Sequence, residues 1–521
     1  MSQDNKRNFI LHGSILAMAG IFVRIIGMVY RIPMVNIIGS EGTGIYSVAY
    51  NVYNIMLVLS SYGLPMAVSK LVSERFAAKK FKSASNIFTC SLTIAVITGG
   101  IAALLMFFGA DFIENVLYKG ANPGLAIPIR VLAPTLFMVA ILGVLRGFFQ
   151  GQSTMIPTAV SQIVEQIINA IVSIVAGYAL MKSFAQSANV SAYGAAGSTM
   201  GTAFGALSAL LFMGFLYIAY RPTFGRLKRK DRTVVTESSG DMYKLIIFTM
   251  IPIILGQTFY QISAVIDDLM FSNLMIGRDI STSIPTDLGN FSSSYSMLIG
   301  IPQGIASAMS ASMLPSIVTS YTEKNYKDIH SKITKTLKTN MFVAVPSFVG
   351  LACIGQPIVK LLFSRYNSVQ GGMMLKIGAI AVVFYTLSTV TSSALQGIDK
   401  MKLPMIHSFI SLTVHVIIVY ILLKVTNLGI YAVVIGNATF PVLIFILNFI
   451  SLYKYANYRF PAVEVFIKPV ISSAIMGVCA FLAYKLVYML VSSNAVALIF
   501  AFIVAGATYF IPYWFLSKKN I

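Results

Sequence analysis

Arg24-Ile25-Ile26-Gly27-Met28-Val29-Tyr30-Arg31-Ile32-Pro33 lies between two apolar runs, 15–23 before it and 32–38 after it. Two arginines therefore sit in or beside a segment long enough to enter a bilayer. An arginine at the centre of a membrane helix costs roughly 2.5–3.5 kcal/mol on insertion scales, so such a residue usually faces a bundle interior or a watery cavity. Arg24 and Arg31 are seven positions apart, about two helical turns, and share one face. This face predicts a polytopic transporter with a positive cavity suited to an anionic, lipid-linked substrate. The alternative for Arg31 is a side chain that snorkels to the outer interface.

Composition agrees with that class. The chain has 521 residues, 57% hydrophobic and only 11% charged, where soluble proteins carry about 25% charge. Many long apolar runs imply membrane helices, not a barrel. The net charge of +21 would suggest nucleic acid in a soluble protein. Here the loops explain it, because lysine and arginine gather on the cytoplasmic side of membrane proteins. Cys90, Cys353 and Cys479 all fall inside apolar segments and read as small buried hydrophobes. No small-residue cleavage site follows the first apolar run, so that segment is expected to remain a helix.

The expected architecture is an all-α polytopic membrane protein of about fourteen transmembrane helices. The candidate spans are 9–36, 43–69, 84–109, 125–148, 154–181, 193–219, 243–273, 287–316, 333–359, 371–396, 403–424, 428–452, 464–488 and 494–516. The even-numbered connections carry Lys70, Arg75, Lys79, Lys80 and Lys82, then Arg221 to Arg232, then Lys324 to Lys338. This asymmetry predicts a multi-pass membrane protein with both termini on the cytoplasmic side. The organisation expected is an N-terminal half at 1–220, a basic linker at 221–241, a C-terminal half at 242–455, and two further helices with a short tail at 456–521. Internal similarity supports the halves. Ala77-Ala78-Lys79-Lys80-Phe81-Lys82 recurs as Thr322-Glu323-Lys324-Asn325-Tyr326-Lys327, and Gln150-Gly151 before Pro157 recurs as Gln396-Gly397 before Pro404. Gly20 aligns with Gly256, and Arg31 with Asp267. Two parallel six-helix repeats place a substrate site where the halves meet.

Polar residues within the spans supply the candidate site. Gln162, Glu165, Gln166 and Asn169 form one helical stripe, read as a cavity wall or as interhelical hydrogen bonds. Tyr46, Tyr50, Tyr53 and Asn54 line one side of the second span. Gln257, Tyr260 and Gln261 lie on the seventh span, with Asp267 and Asp268 near its outer end. Arg31 with Asp267 and Asp268 is the expected outer gate, and two independent interface charges are the alternative. His407 and His415 share a face of the eleventh span and read as packing residues before proton carriers. No Walker-type loop, metal-ligand spacing or nucleophile–base pair is present, so neither an enzyme nor a bound cofactor or metal is expected.

Three further stretches carry a resemblance: Ser61-Tyr62-Gly63-Leu64-Pro65-Met66-Ala67-Val68-Ser69-Lys70, Arg146-Gly147-Phe148-Phe149-Gln150-Gly151, and Ile301-Pro302-Gln303-Gly304-Ile305. With Gly13-Ser14 and the opening stretch, the whole chain resembles the oligosaccharide-flippase branch of the MOP exporter superfamily, in its polysaccharide biosynthesis group (SpoVB/YtgP/MurJ-like). The resemblance implies flipping of an undecaprenyl-pyrophosphate-linked sugar lipid, lipid II first among them, for cell-wall or spore-cortex synthesis. Arg24 matches the family's first cavity arginine. Tyr30 stands where MurJ-like members carry a second, followed here by Arg31, while Leu57 and Met297 stand at two further arginine positions. Membrane lipids, a coupling cation and cell-wall polymerases complete the partners considered, and no nucleic acid is expected. The other readings are a transporter of a different lipid-linked polysaccharide precursor, a MATE-type cation or drug antiporter, and a membrane scaffold.

Overall fold

The computed structural model describes residues 3–152, 154–233, 237–278 and 283–518, without the side chains of 3–19, 21, 252, 256, 259, 260 and 464. Tyr260, Gly256 and the Gly13-Ser14 pair, all named above, thus lie outside the described side chains. Regular structure among the described residues is helical throughout. Among those residues, eleven helices are long and apolar enough to cross a membrane, or up to twelve if the pair Ser368–Gly378 and Ala381–Gly397, bent by 47°, is one span.

Helix α1 runs Gln3–Ser60 and is broken at Gly39, with φ 72° and ψ 179°. Only glycine adopts that conformation without strain. Its 58 residues would extend about 87 Å as one rod, against a hydrocarbon layer of about 30 Å. The glycine turn therefore divides it into the first two expected segments. The second ends earlier than the expected 43–69. The chain turns over 61–63, and α2 (Leu64–Ala77) restarts with Pro65 in its first turn. Proline suits that position because a first-turn N–H has no intrahelical acceptor.

The chain continues through α3 (Phe81–Phe108), α4 (Ala126–Gly151), α5 (Ile156–Ser183), α6 (Val190–Lys230) and α7 (Ser239–Met275). Backbone proximity groups the chain into two compact units, Met1–Leu269 and Met270–Ile521. The division falls near the end of α7, so most of the seventh segment groups with the first six. The expected linker 221–241 is helical as far as Lys230. Lys228, Arg229 and Lys230 occupy the last turn of α6, where cations offset the carbonyl end of the helix dipole.

Small residues let the helices of the first unit approach. A Cβ on Gly147 would lie 2.6 Å from the Pro65 carbonyl oxygen, and one on Gly151 would lie 2.8 Å from Val72 Cβ. A Cβ on Gly197 would lie 2.4 Å from the Ala176 carbonyl, and one on Gly201 2.5 Å from the Asn169 carbonyl. Thus α4 closes on α2 and α6 closes on α5 through glycine stripes, the packing expected where lipid removes the hydrophobic drive between helices. Phe148 fills the remaining core among Phe76, Phe88, Tyr217 and Phe224.

The segment after α6 is pinned to the α2–α3 connection. Asp231 accepts the Lys82 amide at 2.8 Å, and Arg75 pairs with Glu237 at 2.5 Å. The Lys82 amide first, then Thr233, hold the Asp231 carboxyl down at about 2.

The second unit holds α8 (Ile284–Thr322, π-helical over Phe291–Met297), α9 (Tyr326–Leu362), α10 (Ser368–Gly378), α11 (Ala381–Gly397), α12 (Lys402–Val425), α13 (Ile430–Ala456), α14 (Lys468–Val491) and α15 (Asn494–Lys518). Helices α14 and α15 pack on each other and on α9. His407 bonds Asn448 at 2.7 Å and His415 bonds the Gly436 carbonyl at 2.9 Å, both in buried packing positions.

Gly147→Ala is expected to lower the unfolding temperature of the full chain in detergent, despite alanine's higher helix propensity, because overpacking costs about 1–3 kcal/mol. Gly214→Ala, whose Cβ would meet nothing within 4 Å, should leave the temperature unchanged or raise it. Because the Asp231 carboxyl sits below its ordinary 3.8, its hold on the Lys82 amide persists above pH 4 and is lost as pH falls towards 2. The protection of the Lys82 amide, its exchange rate taken relative to the intrinsic rate at each pH, should fall over that window and be low already at neutral pH in Asp231→Ala.

Candidate functional site

The first unit gathers most of the expected polar residues. Arg24, Gly27 and Arg31 follow one stripe of α1 at spacings of three and four. A Cβ on Gly27 would come within 3.1 Å of Gln166 Nε2. The missing side chain at Gly27 therefore lets the α5 amide reach the arginine stripe. Tyr30, one position earlier than Arg31, has its hydroxyl beside Asn169. Arg24 is exposed and Arg31 half-buried.

The guanidinium of Arg31 lies over the Tyr46 ring, 5.8 Å from its centre. Tyr46 stacks on Tyr50 at 5.5 Å, and Tyr50 meets Tyr53 at 5.5 Å. The spacing of four and three places these rings on one face of α1 after its break. A cation over an aromatic face gains about 0.5–1 kcal/mol when exposed and more when desolvated. Tyr50 lies beside Thr202 of α6, and Tyr53 lies near Glu165 of α5. The stripe on α5 and the tyrosines on α1 thus form one polar layer.

Glu165 is not open to a ligand in this arrangement. Arg146 Nη2 meets Glu165 Oε2 at 2.6 Å, and the two side chains are 15% and 28% exposed. Arg146 Nε also donates to Ser161 Oγ at 2.9 Å. Arg146 is the polar-layer residue that span-by-span reading passes over. It lies 19 positions before Glu165, on another helix, and only the α4–α5 packing brings the charges together. The signal in sequence was an arginine near the C-terminal end of the apolar run of α4, opposite a lone carboxylate in α5.

The other candidates are placed as follows. Asn54, Gln162, Gln257 and Gln261 are half-buried, and among the described residues no contact joins Gln257 or Gln261 to the arginine stripe. Asp267 and Asp268 are buried, each 6% exposed. Asp268 Oδ2 accepts from Asn51 Nδ2 at 2.8 Å. Arg31 rests on Tyr46 and, among the described residues, not on either carboxylate.

Among the described residues, no group of three or more His, Cys, Asp or Glu could hold a metal ion. Glu165 is paired with Arg146, and the α1 stripe carries two arginines with the Gln166 amide and the Tyr46 ring beside it. Such a face can bind an anion through charge-assisted hydrogen bonds.

Comparison with known proteins gives one direction. A family model described as polysaccharide biosynthesis protein matches residues 11–321, and a MatE model matches 252–421. Lipid II flippase MurJ of Bacillus subtilis (strain 168) is 26% identical over 96% of this chain and 94% of its own. Stage V sporulation protein B of the same organism is 24% identical over 92% and 89%. Among solved structures, lipid II flippase MurJ in an inward closed conformation superposes with a TM-score of 0.69 at 16% identity, covering 97% of this chain and 99% of that one. An inward-facing multidrug resistance MATE transporter of the MOP superfamily superposes with a TM-score of 0.68 at 18% identity, covering 86% and 99%. The fold is that of these transporters.

Removing one partner of the Arg146–Glu165 pair should cost more than removing both, because a lone charge stays in the apolar layer. Arg146→Met is expected to destabilise the full chain by about 1–3 kcal/mol. Arg146→Met with Glu165→Gln should recover most of that loss, read as unfolding temperature in detergent.

Proposed function

We propose that this chain, which belongs to the polysaccharide biosynthesis protein family, is a flippase for an undecaprenyl-diphosphate-linked glycan precursor, with lipid II as the first candidate. Transport runs from the inner to the outer leaflet by alternating access. The observation that carries this reading is the α1 stripe of Arg24 and Arg31, with Gln166 reaching it across Gly27. The likeness over nearly the full length to a lipid II flippase of Bacillus subtilis supports the substrate class. The loop charges support both termini inside, and the Bacillus subtilis relatives support a bacterial cytoplasmic membrane.

The physical problem is the headgroup. A diphosphate drawn into hydrocarbon loses its hydration, and an unpaired ion there is prohibitive. The protein replaces water with fixed donors. Arg24 presents a planar guanidinium that matches two phosphate oxygens at once. Arg31, held on Tyr46, adds positive charge one stripe position further. Gln166 and Asn169 offer neutral donors and acceptors to sugar hydroxyls. Glu165 does not repel the substrate, since Arg146 neutralises it. The lipid tail stays in the bilayer throughout. A cationic substrate would meet repulsion on the same stripe, which disfavours a cation antiporter.

Arg24→Ala removes a charge-assisted contact of about 1.5–3 kcal/mol, roughly a ten- to hundredfold effect. The initial rate of lipid II translocation in proteoliposomes of the full chain should fall by that factor, with unchanged protein amount and unfolding temperature. Arg24→Lys should retain part of the rate. A wild-type rate in Arg24→Ala removes the stripe from the mechanism, and a wild-type protein that moves another lipid-linked glycan but not lipid II changes the substrate.

A further inference from the structure

Two features of the first unit play no part in the flippase reading: a carboxylate near the end of α7, and a phenol in the connection between α3 and α4. Asp268 lies about 10 Å before the end of α7 at Met275 and is 6% exposed. Its one hydrogen bond among the described residues comes from Asn51, whose Nδ2 donates to Oδ2 at 2.8 Å. Among those residues no lysine or arginine forms an ion pair with it. Asp267 leaves the helix about 100° away and has an interaction of its own. An ionised carboxylate this far from water needs a compensating charge, and an amide supplies none.

The phenol is the second observation. The Tyr118 hydroxyl lies near Asp268. Its side chain is 1% exposed, and its oxygen has no hydrogen-bond partner among the described residues. A buried hydroxyl without a partner is costly and calls for an explanation. The connection fixes the ring there. Glu114 Oε1 accepts the Gly124 amide at 2.9 Å and Oε2 accepts the Ala126 amide at 2.8 Å. Gly120, at φ 71°, turns the backbone just after Tyr118. Glu114 is thus committed to the loop.

We propose that Asp268 and Tyr118 hold a monovalent alkali cation, with Asn51 orienting the carboxylate. Asp268 Oδ1 and the Tyr118 hydroxyl oxygen are the protein ligands, and water completes the shell. Oxygens that share a hard cation at about 2.3–2.6 Å lie about 3.3–5 Å apart, beyond hydrogen-bond reach of one another. A carboxylate and a phenol that are close but not bonded fit that arrangement. A proton would settle Asp268 alone and leave the phenol without a partner, whereas a cation engages both oxygens. One carboxylate balances one positive charge. A calcium ion takes six to eight oxygens and a magnesium ion a near-ideal octahedron, more than this pair offers. The site rests on this geometry and on no choice of transport substrate.

The test measures equilibrium binding of radioactive sodium to the full chain in detergent, at constant ionic strength with N-methylglucamine as the balancing cation. Wild type should bind saturably, with displacement by unlabelled sodium or potassium and none by N-methylglucamine. Asp268→Asn should abolish that binding, and Tyr118→Phe should weaken it at least fivefold at an unchanged unfolding temperature. Tyr118→Phe alters no charge, so it carries the test by itself where Asp268→Asn fails to fold. The Arg24→Ala chain should bind sodium as wild type does, so the site and the flippase reading fail separately. Absence of saturable binding, or wild-type affinity in Tyr118→Phe, overturns the proposal. Displacement by micromolar calcium assigns the oxygens to a divalent ion and overturns the monovalent one. A wild-type chain whose stability follows pH through Asp268 but is indifferent to sodium and potassium makes the ligand a proton and overturns the cation.

Discussion

A charge inside an apolar bundle needs a partner, and in the first unit that requirement organises the polar layer. Arg146 and Glu165 come from helices α4 and α5 and meet at 2.6 Å, with Ser161 accepting from the same guanidinium. Their pairing removes one charge of each sign from the layer beside the α1 arginines. Had Glu165 faced the stripe instead, it would have cancelled one of them and weakened any attraction for an anion.

The packing that permits this pair depends on absent side chains. Glycines of α4 and α6 admit α2 and α5 at distances where even one methyl group would strike a backbone oxygen. Gly27 does the same on a smaller scale, because Gln166 fills the space that a Cβ would take. In lipid, close van der Waals contact and interhelical hydrogen bonds hold helices together. The glycine stripes and the polar layer are therefore two parts of one solution. The first brings backbones close, and the second uses the short reach to match donors with acceptors.

The second unit divides its polar groups differently. His407, Asn448 and Ser451 satisfy one another in a buried cluster, so they consume their hydrogen-bonding capacity in packing. His330 and Thr334 are likewise anchored, to the Ala456 carbonyl and the Tyr458 hydroxyl.

The chain's own order of residues determined the helical class, the positions of most apolar segments, the Gly39 turn and the shared face of Arg24 and Arg31. Each follows from local physics: a run of about 20 apolar residues needs internal hydrogen bonds, and a spacing of seven returns to one helical face. The stripe on α5 was legible for the same reason. Tertiary structure alone decided the partners. It gave Glu165 to Arg146, Arg31 to Tyr46, and Asp268 to Asn51 across 217 positions. It also carried α6 into the expected linker as far as Lys230 and stopped the second segment at a turn before Pro65. Periodicity reports which face a residue occupies, whereas the helix that comes to lie against that face depends on packing between distant segments.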